Sequence, residues 1–303
     1  MDASPPPGSS PAAAHLRRAF TLHDRLWRDN RYVYPVVSRR SKGISIGVNL
    51  NPDKVCNFDC IYCSVDRTVT PVVRDVDLAL LEQELAAMLA LAAGGELYRY
   101  DPFDKIPPAL AHVNDIAFSG DGEPTTCPGF VAACEIAVRL KSAILPPTAQ
   151  RPPVKLVLIT NATMLHRPAV AATLEFLDRH DGEIWAKLDA GTEAYFQAVD
   201  RTSIPLSRVL ANITDAARRL PLVIQSLFMK VHGIGPDTAE IDAYTRRLTD
   251  VLAAGGRIKL VQVYTVARQT TESYAAALNA AELALIAERI TQALPTLVVE
   301  TYD

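Results

Sequence analysis

Three cysteines fall within eight residues in the segment NPDKVCNFDCIYCSVDR (51–67): Cys56, Cys60 and Cys63. The spacing C-x3-C-x2-C lets three thiolates converge on one object. Four tight protein ligands would suit structural zinc or a fully ligated iron–sulfur cluster. Here no fourth cysteine lies nearby, and no histidine follows within 40 residues. Three thiolates on a four-iron cluster leave one iron open, and an open metal position is where chemistry happens. Two blander readings stand beside it: a zinc site completed by a distant Asp or His, and three inert buried thiols. The two remaining cysteines, Cys127 and Cys134, read as small apolar core or helix residues.

Other residues with chemical capacity sit in short turns. In SGDGEPT (119–125), Gly120 and Gly122 permit close backbone approach to a ligand. Asp121 and Glu123 add carboxylates to the same turn. Asn161 lies in a Thr-Asn-Ala turn, where a bare turn role competes with a binding one. Lys187 and Asp189 flank Leu188 and are expected to share one face of a strand, either serving a site or pairing with neighbouring charges. Gln225, Lys230, Gln262 and Tyr264 are weaker candidates. His232 reads as a surface histidine. Arg201 and Arg268 are candidates for holding a phosphate or carboxylate, or are solvated loop residues.

The elements that must position these residues alternate regularly. Strands are expected over 43–50, 113–118, 154–160, 183–189, 222–229 and 257–266. Helices are expected over 75–93, 130–142, 168–178, 207–220, 237–254 and near 281–293, with a short one over 15–29. A last apolar run covers 297–300. Near-continuous apolar strands fit a parallel sheet covered on both faces. The class is α/β. A βα barrel, complete or partial, and a doubly wound open sheet both satisfy the alternation.

Composition narrows the field. The 303 residues are 49% hydrophobic and 21% charged, ordinary for a globular protein with a sizeable core. Thirty-one basic against 34 acidic residues give a net charge of −3, which supplies no overall field for nucleic acid or anionic membrane. No segment reads as membrane-spanning. The first eleven residues carry four prolines and an Asp and lack the apolar core of a secretory signal. With no disulfide pattern either, the cytoplasm is the expected compartment, and clustered cysteines there favour metal.

The cysteine motif, with Tyr62 just before its last cysteine, resembles the cluster loop of the radical S-adenosylmethionine (radical SAM) superfamily. SGDGEPT resembles that family's Gly-Gly-Glu-Pro motif, with Asp121 inserted. The Thr160–Ala162 turn, Lys187–Asp189 and the 262–265 segment match at later strand ends, so the resemblance covers about residues 40–266. The wording is most similar to the branch holding wyosine-base synthases and related iron–sulfur oxidoreductases. Archaeal wyosine enzymes carry further cysteines before the motif, and this chain has none before Cys56.

The resemblance implies a partial (βα)6 TIM-type barrel. One domain would span 15–303, with a C-terminal extension from about 267 and a disordered tail over 1–14. It implies a [4Fe–4S] cluster on Cys56, Cys60 and Cys63, with S-adenosyl-L-methionine chelating the fourth iron. Tyr62, Gly120, Asp121, Gly122, Glu123 and Asn161 would contact that cofactor, Glu123 through its ammonium. Lys187 and Asp189 are the catalytic candidates at the barrel mouth. An electron donor such as flavodoxin or ferredoxin is the expected partner. The substrate is unidentified; a tRNA base is one candidate, which the near-neutral charge does not support. The rival classes are a non-catalytic iron–sulfur or zinc protein on the same scaffold, and a degenerate scaffold that binds partners.

Overall fold

Short β-branched runs form the sheet, and their residues alternate between two covered faces. The computed structural model describes residues 15, 16, 18–20, 25–71, 73–149 and 151–303; the tail expected over 1–14 lies outside them. An antiparallel hairpin opens the sheet, pairing β1 (Val33–Ser38) with β2 (Gly43–Val48). Parallel strands β3 (Val113–Phe118), β4 (Lys155–Thr160), β5 (Gly182–Lys187) and β6 (Leu222–Leu227) follow. Then come β7 (Met229–Val231), β8 (Ile258–Tyr264), β9 (Ala275–Ala277) and β10 (Val299–Tyr302). The main sheet runs β1-β2-β3-β4-β5-β6-β8-β10, and β7 with β9 forms a separate ribbon.

That order decides between the two architectures left open by the alternation. Doubly wound sheets reverse direction from a central strand, placing early and late strands on opposite sides of it. Here neighbours follow chain order from β2 to β10, as in a barrel, and the sheet curls into a partial barrel. The helices are α1 (Leu78–Ala93), α2 (Phe130–Ile144), α3 (Pro168–Asp178), α4 (Glu193–Asp200), α5 (Leu206–Arg219), α6 (Thr238–Ala253) and α7 (Ala280–Ala293). One large core joins them to the outer strand faces, with Ile46, Phe118, Leu158, Ile184, Ile224 and Val263 all buried in it. A small second cluster lies on alternate positions of the same strands: Ala117, Val157, Trp185 and Val223, with Ile159 and Leu260 beside them. This is the lining of the barrel interior.

Local chemistry sets the element ends. Asp77 caps α1 by accepting from Ala79 N and Leu80 N at 2.9 and 3.1 Å. Its C-terminus gives way at Gly95, whose φ of 78° is left-handed. Glu84, an interruption in the apolar pattern of α1, is buried and structural: its carboxylate accepts from the backbone N of Arg31, Tyr32 and Val33 at 2.8–3.2 Å. It thereby pins the start of β1.

Several expected elements change. Of the helix expected over 15–29, residues 15, 16 and 18–20 are helical and 25–29 are not: left-handed Arg25 and Arg28 turn the chain and Trp27 bridges Asn30. The strand expected over 183–189 ends at Lys187, and the one over 222–229 divides into β6 and β7. Strand β1 and helix α4 are additional. Beyond residue 267, β10 pairs in parallel with β8. Among the described residues, no helix is long and apolar enough to cross a membrane.

Candidate active site

The cysteine loop leaves the end of β2 and is strapped to the end of α4. Asp59 N donates to Asp200 O at 3.1 Å, Ile61 N to Val199 O at 2.9 Å, and Thr202 Oγ1 to Asn57 O at 2.9 Å. Phe58 meets Phe196 edge-on, ring centres 5.6 Å apart. On its other side Thr271 N donates to Cys63 O at 2.8 Å. The loop carries Cys56, Cys60 and Cys63 onto the wall of one cavity of about 290 Å³.

Donors are aimed at two of the sulfurs. Lys187 Nζ lies 3.4 Å from Cys60 Sγ, and Val65 N and Arg67 Nη2 lie 3.5 and 3.6 Å from Cys63 Sγ. Burial raises the pKa of Cys56 and raises that of Cys60 well above a free thiol, so each needs a nearby cation or metal to ionise. A single zinc with bonds of about 2.3 Å draws its sulfurs to within about 4 Å of one another. Among the described residues, the trio of candidate ligand atoms lying mutually within 4.8 Å is His15, Asp101 and Asp104, at the surface. The three cysteines do not form such a group.

The SGDGEPT turn closes against this loop through missing side chains. A Cβ on Gly122 would stand 2.1 Å from Val55 O, and one on Gly120 2.4 Å from Asn49 Oδ1. Asp121 is fully engaged: its carboxylate pairs with Arg25 at 2.6 Å and accepts from Asn49 Nδ2 at 2.8 Å. Glu123 is buried and accepts from Thr125 Oγ1, Thr160 Oγ1 and Asn161 N at 2.5–2.7 Å, locking the ends of β3 and β4 together. Burial still raises its pKa. Asn161 donates to Asn57 Oδ1 at 2.7 Å and accepts from Thr163, which spends its amide inside the turn.

Lys187 closes the site from the end of β5. It pairs with Asp189 at 3.2 Å and Asp200 at 3.7 Å and lies 4.8 Å above the Tyr62 ring. Burial alone would lower its pKa; Cys60, Asp189 and Asp200 outweigh that and raise it well above the usual value. Tyr62 OH donates to Asp189 and reaches Asp200 at 3.3 Å. Burial pushes Asp200 up to about 6 against the pull of Lys187.

Among the sequence candidates, Tyr62, Gly120, Asp121, Gly122, Glu123, Asn161 and Lys187 therefore line the cavity with the three cysteines. Asp189 does not: it is buried behind Tyr62 and Lys187, where Leu227 N donates to it at 2.7 Å. Gln225, Tyr264 and Arg268 also line the cavity. Gln262 stands one strand away, joined to Gln225 at 3.1 Å. Lys230 pairs with Glu282, Arg201 with Asp59 and Glu272, and His232 stacks on Tyr274, all away from the cavity wall. Cys127 and Cys134 lie apart from the site; Cys134 is buried on α2.

The sequence reading missed Asp200, because the short helix carrying it was missed. The available signal was Thr192, which caps α4 by accepting from Tyr195 N, with Phe196 and Val199 buried three apart. Arg25, Arg39, Arg40 and Arg67 were also passed over, and all four line the cavity.

No protein-family model matches the chain. It is 24% identical over 263 residues to a protein named GTPase Obg from Brachyspira hyodysenteriae, covering 84% of this chain and 33% of that one. It is 24% identical over 192 residues to a UPF0026 protein of Helicobacter pylori, covering 63% of this chain and 52% of the relative. The chain thus spans about a third to a half of these relatives. It contains no Gly-Lys pair, which a P-loop requires. In structure it is similar to Streptococcus suis SuiB bound to S-adenosylmethionine, with TM-score 0.58 and 13% identity over 85% of this chain and 50% of SuiB. A radical SAM methyltransferase from Sphaerobacter thermophilus gives TM-score 0.56 and 12% identity over 89% of this chain and 68% of that one. The chain has the fold of the radical SAM enzymes.

Proposed function

We propose that this protein is a radical SAM enzyme that binds a [4Fe–4S] cluster on Cys56, Cys60 and Cys63 and S-adenosyl-L-methionine beside it. The observation that carries this reading is the meeting of the three cysteines, the Gly120–Glu123 turn, Asn161 and Lys187 on one cavity wall. Three thiolates with no fourth cysteine nearby suit a four-iron body with one iron left open. When bound, the cluster and cofactor supply reductive C–S cleavage to methionine and a 5′-deoxyadenosyl radical, which abstracts hydrogen from a substrate.

The chain's own residues orient and insulate. Gly120 and Gly122 keep the turn free of side-chain bulk, so its backbone faces the cofactor. Glu123 fixes that turn and would accept from the ammonium of a bound cofactor. Lys187, tied to two carboxylates, is a fixed cation beside Cys60 that favours its thiolate, against Asp200, to which the thiol donates at 3.2 Å. Asp189 and Asp200 act through Lys187 and Tyr62 and are positioning residues. One catalytic unit spans 15–303 in this reading. A flavodoxin- or ferredoxin-type protein delivers the electron, and the cytoplasm supplies the reducing surroundings.

Anaerobic reconstitution with iron and sulfide tests this, with electron paramagnetic resonance of the reduced protein before and after S-adenosylmethionine. A four-iron signal that shifts on addition, with 5′-deoxyadenosine formed, is the expected result. Bound zinc, or a cluster whose signal ignores the cofactor, would establish the non-catalytic metal protein instead.

A further inference from the structure

The cavity continues past the cysteine loop to the open side of the barrel. Strands β1 and β10 end the eight-strand order and do not pair with each other, yet Tyr34 and Tyr302 from these two margins both line the cavity. Arginines converge on this gap from both sides. Arg39 and Arg40 follow β1 directly, and Arg268 lies four residues beyond β8.

These three differ from the other arginines around the site. Arg25 is matched by Asp121, Arg201 by Asp59 and Glu272, and Arg67 donates to the carbonyls of Lys54 and Asp121. Among the described residues, no carboxylate lies within 4.0 Å of Arg39, Arg40 or Arg268 in an ion pair. Their neighbours are aromatic: Arg40 lies 4.7 Å over the Tyr264 ring and 5.8 Å over Trp185, and Arg39 lies 5.9 Å over Phe20. Arg268 Nε is buried with no hydrogen-bond partner. Burial, Arg40 and Arg25 lower the Arg268 pKa to about 9. Asp303 offsets part of the charge on Arg39 without pairing with it; like charges gathered in a half-buried gap with no paired carboxylate are unfavourable, and an anion placed among them reverses that cost.

The guanidinium fork matches oxyanions, and forks from two sides offer more donors than one carboxylate can accept. A phosphate, with three or four acceptor oxygens and more charge, meets that supply. We propose that the gap between β1 and β10 is a phosphate subsite for the substrate, with Arg40 and Arg268 as its ligands and Arg39 at its rim. This rests on the reading of the cavity as a radical SAM active site. The phosphate belongs either to a small phosphorylated metabolite or to a polynucleotide backbone.

Calorimetric titration of the full chain without reconstituted iron tests the subsite, using inorganic phosphate, ribose 5-phosphate and a short RNA lacking terminal phosphates. Inorganic phosphate should bind, and Arg40→Gln and Arg268→Gln should each weaken it by about tenfold or more, the loss of one charge-assisted hydrogen bond. Arg40→Lys and Arg268→Lys, which keep charge but lose the fork, should fall between. Ribose 5-phosphate binding with no RNA binding assigns a small metabolite; RNA binding weakened by the same substitutions and by salt assigns a polynucleotide. No phosphate binding, affinity unchanged in correctly melting Gln variants, or acetate competing as well as phosphate would overturn the proposal. Iron and deoxyadenosine are measured separately, so failure here leaves the cluster reading intact, and failed reconstitution leaves phosphate affinity to be judged by itself.

Discussion

At the N-terminal ends of the parallel strands, buried Asp115 and half-buried Glu183 are closed off by donors from their neighbours. Asp115 accepts from Ser41 and Ser45, and Glu183 from Lys259, Lys155 and Trp185 Nε1. At the C-terminal ends, charges gather around empty space. Lys187 faces a thiol and two carboxylates across a cavity wall, and Arg268 has no carboxylate paired with it within 4.0 Å among the described residues. Both ends bury ionisable groups, so burial alone does not distinguish them. The base closes its acids with internal donors, although burial still raises Asp115. The mouth leaves charge and sulfur unsatisfied, which is tolerable only where a ligand completes them.

The sharpest break between the ends comes from the cysteines. Alanine at Cys56, Cys60 or Cys63 should abolish iron binding and 5′-deoxyadenosine formation together. Cys134→Ala should keep both, at about 1 kcal/mol of stability. Iron lost from the Cys134 variant would move the metal site. Next, Lys187→Met strands Asp189 and Asp200 as uncompensated buried acids, and urea unfolding should show a loss of about 3 kcal/mol. Adding Asp200→Asn should recover part of it; strictly additive losses would mean the groups do not interact.

The base gives a pH signature. Burial raises the Asp115 pKa from 3.8 to about 6. A raised folded-state pKa means its stabilisation is complete below 3.8 and disappears as pH climbs through 6. The change is on the order of 3 kcal/mol. Asp115→Asn should remove that slope, so wild type and variant should diverge between pH 4 and 6; parallel curves would show that Asp115 titrates normally. The smallest effect is Lys259→Ala. Its side chain is 55% exposed and Lys155 still holds Glu183 at 3.0 Å, so the loss should stay below about 1 kcal/mol. A larger value would make the base an ionic network comparable to the mouth.

Much of this was legible in the chain itself. Six of the seven parallel strands follow from apolar runs, and the cysteine loop and SGDGEPT turn from residue types that chemistry needs close together. What escaped depended on tertiary contact. Strand β1 contains Pro35, which argues against a strand except at a sheet edge, where it lies. Helix α4 is eight residues long, and its functional contribution is one terminal carboxylate, Asp200. Lys187 and Asp189 were expected to project into the lumen together; the strand ends at Lys187, and Asp189 turns inward behind it. Arg39 and Arg40 look like any solvated turn until the curled sheet brings them near Arg268.

Strand β1 bears on more than the barrel's shape. A partial barrel has two raw margins, and each is a template on which a second chain can add a strand and polymerise. One margin here is a six-residue strand interrupted by proline, the other a four-residue strand carrying Glu300 paired with Lys42. Short, broken and charged margins discourage such growth. The Lys42–Glu300 pair also ties the two margins to each other, so the open barrel remains a poor seed for its own aggregation.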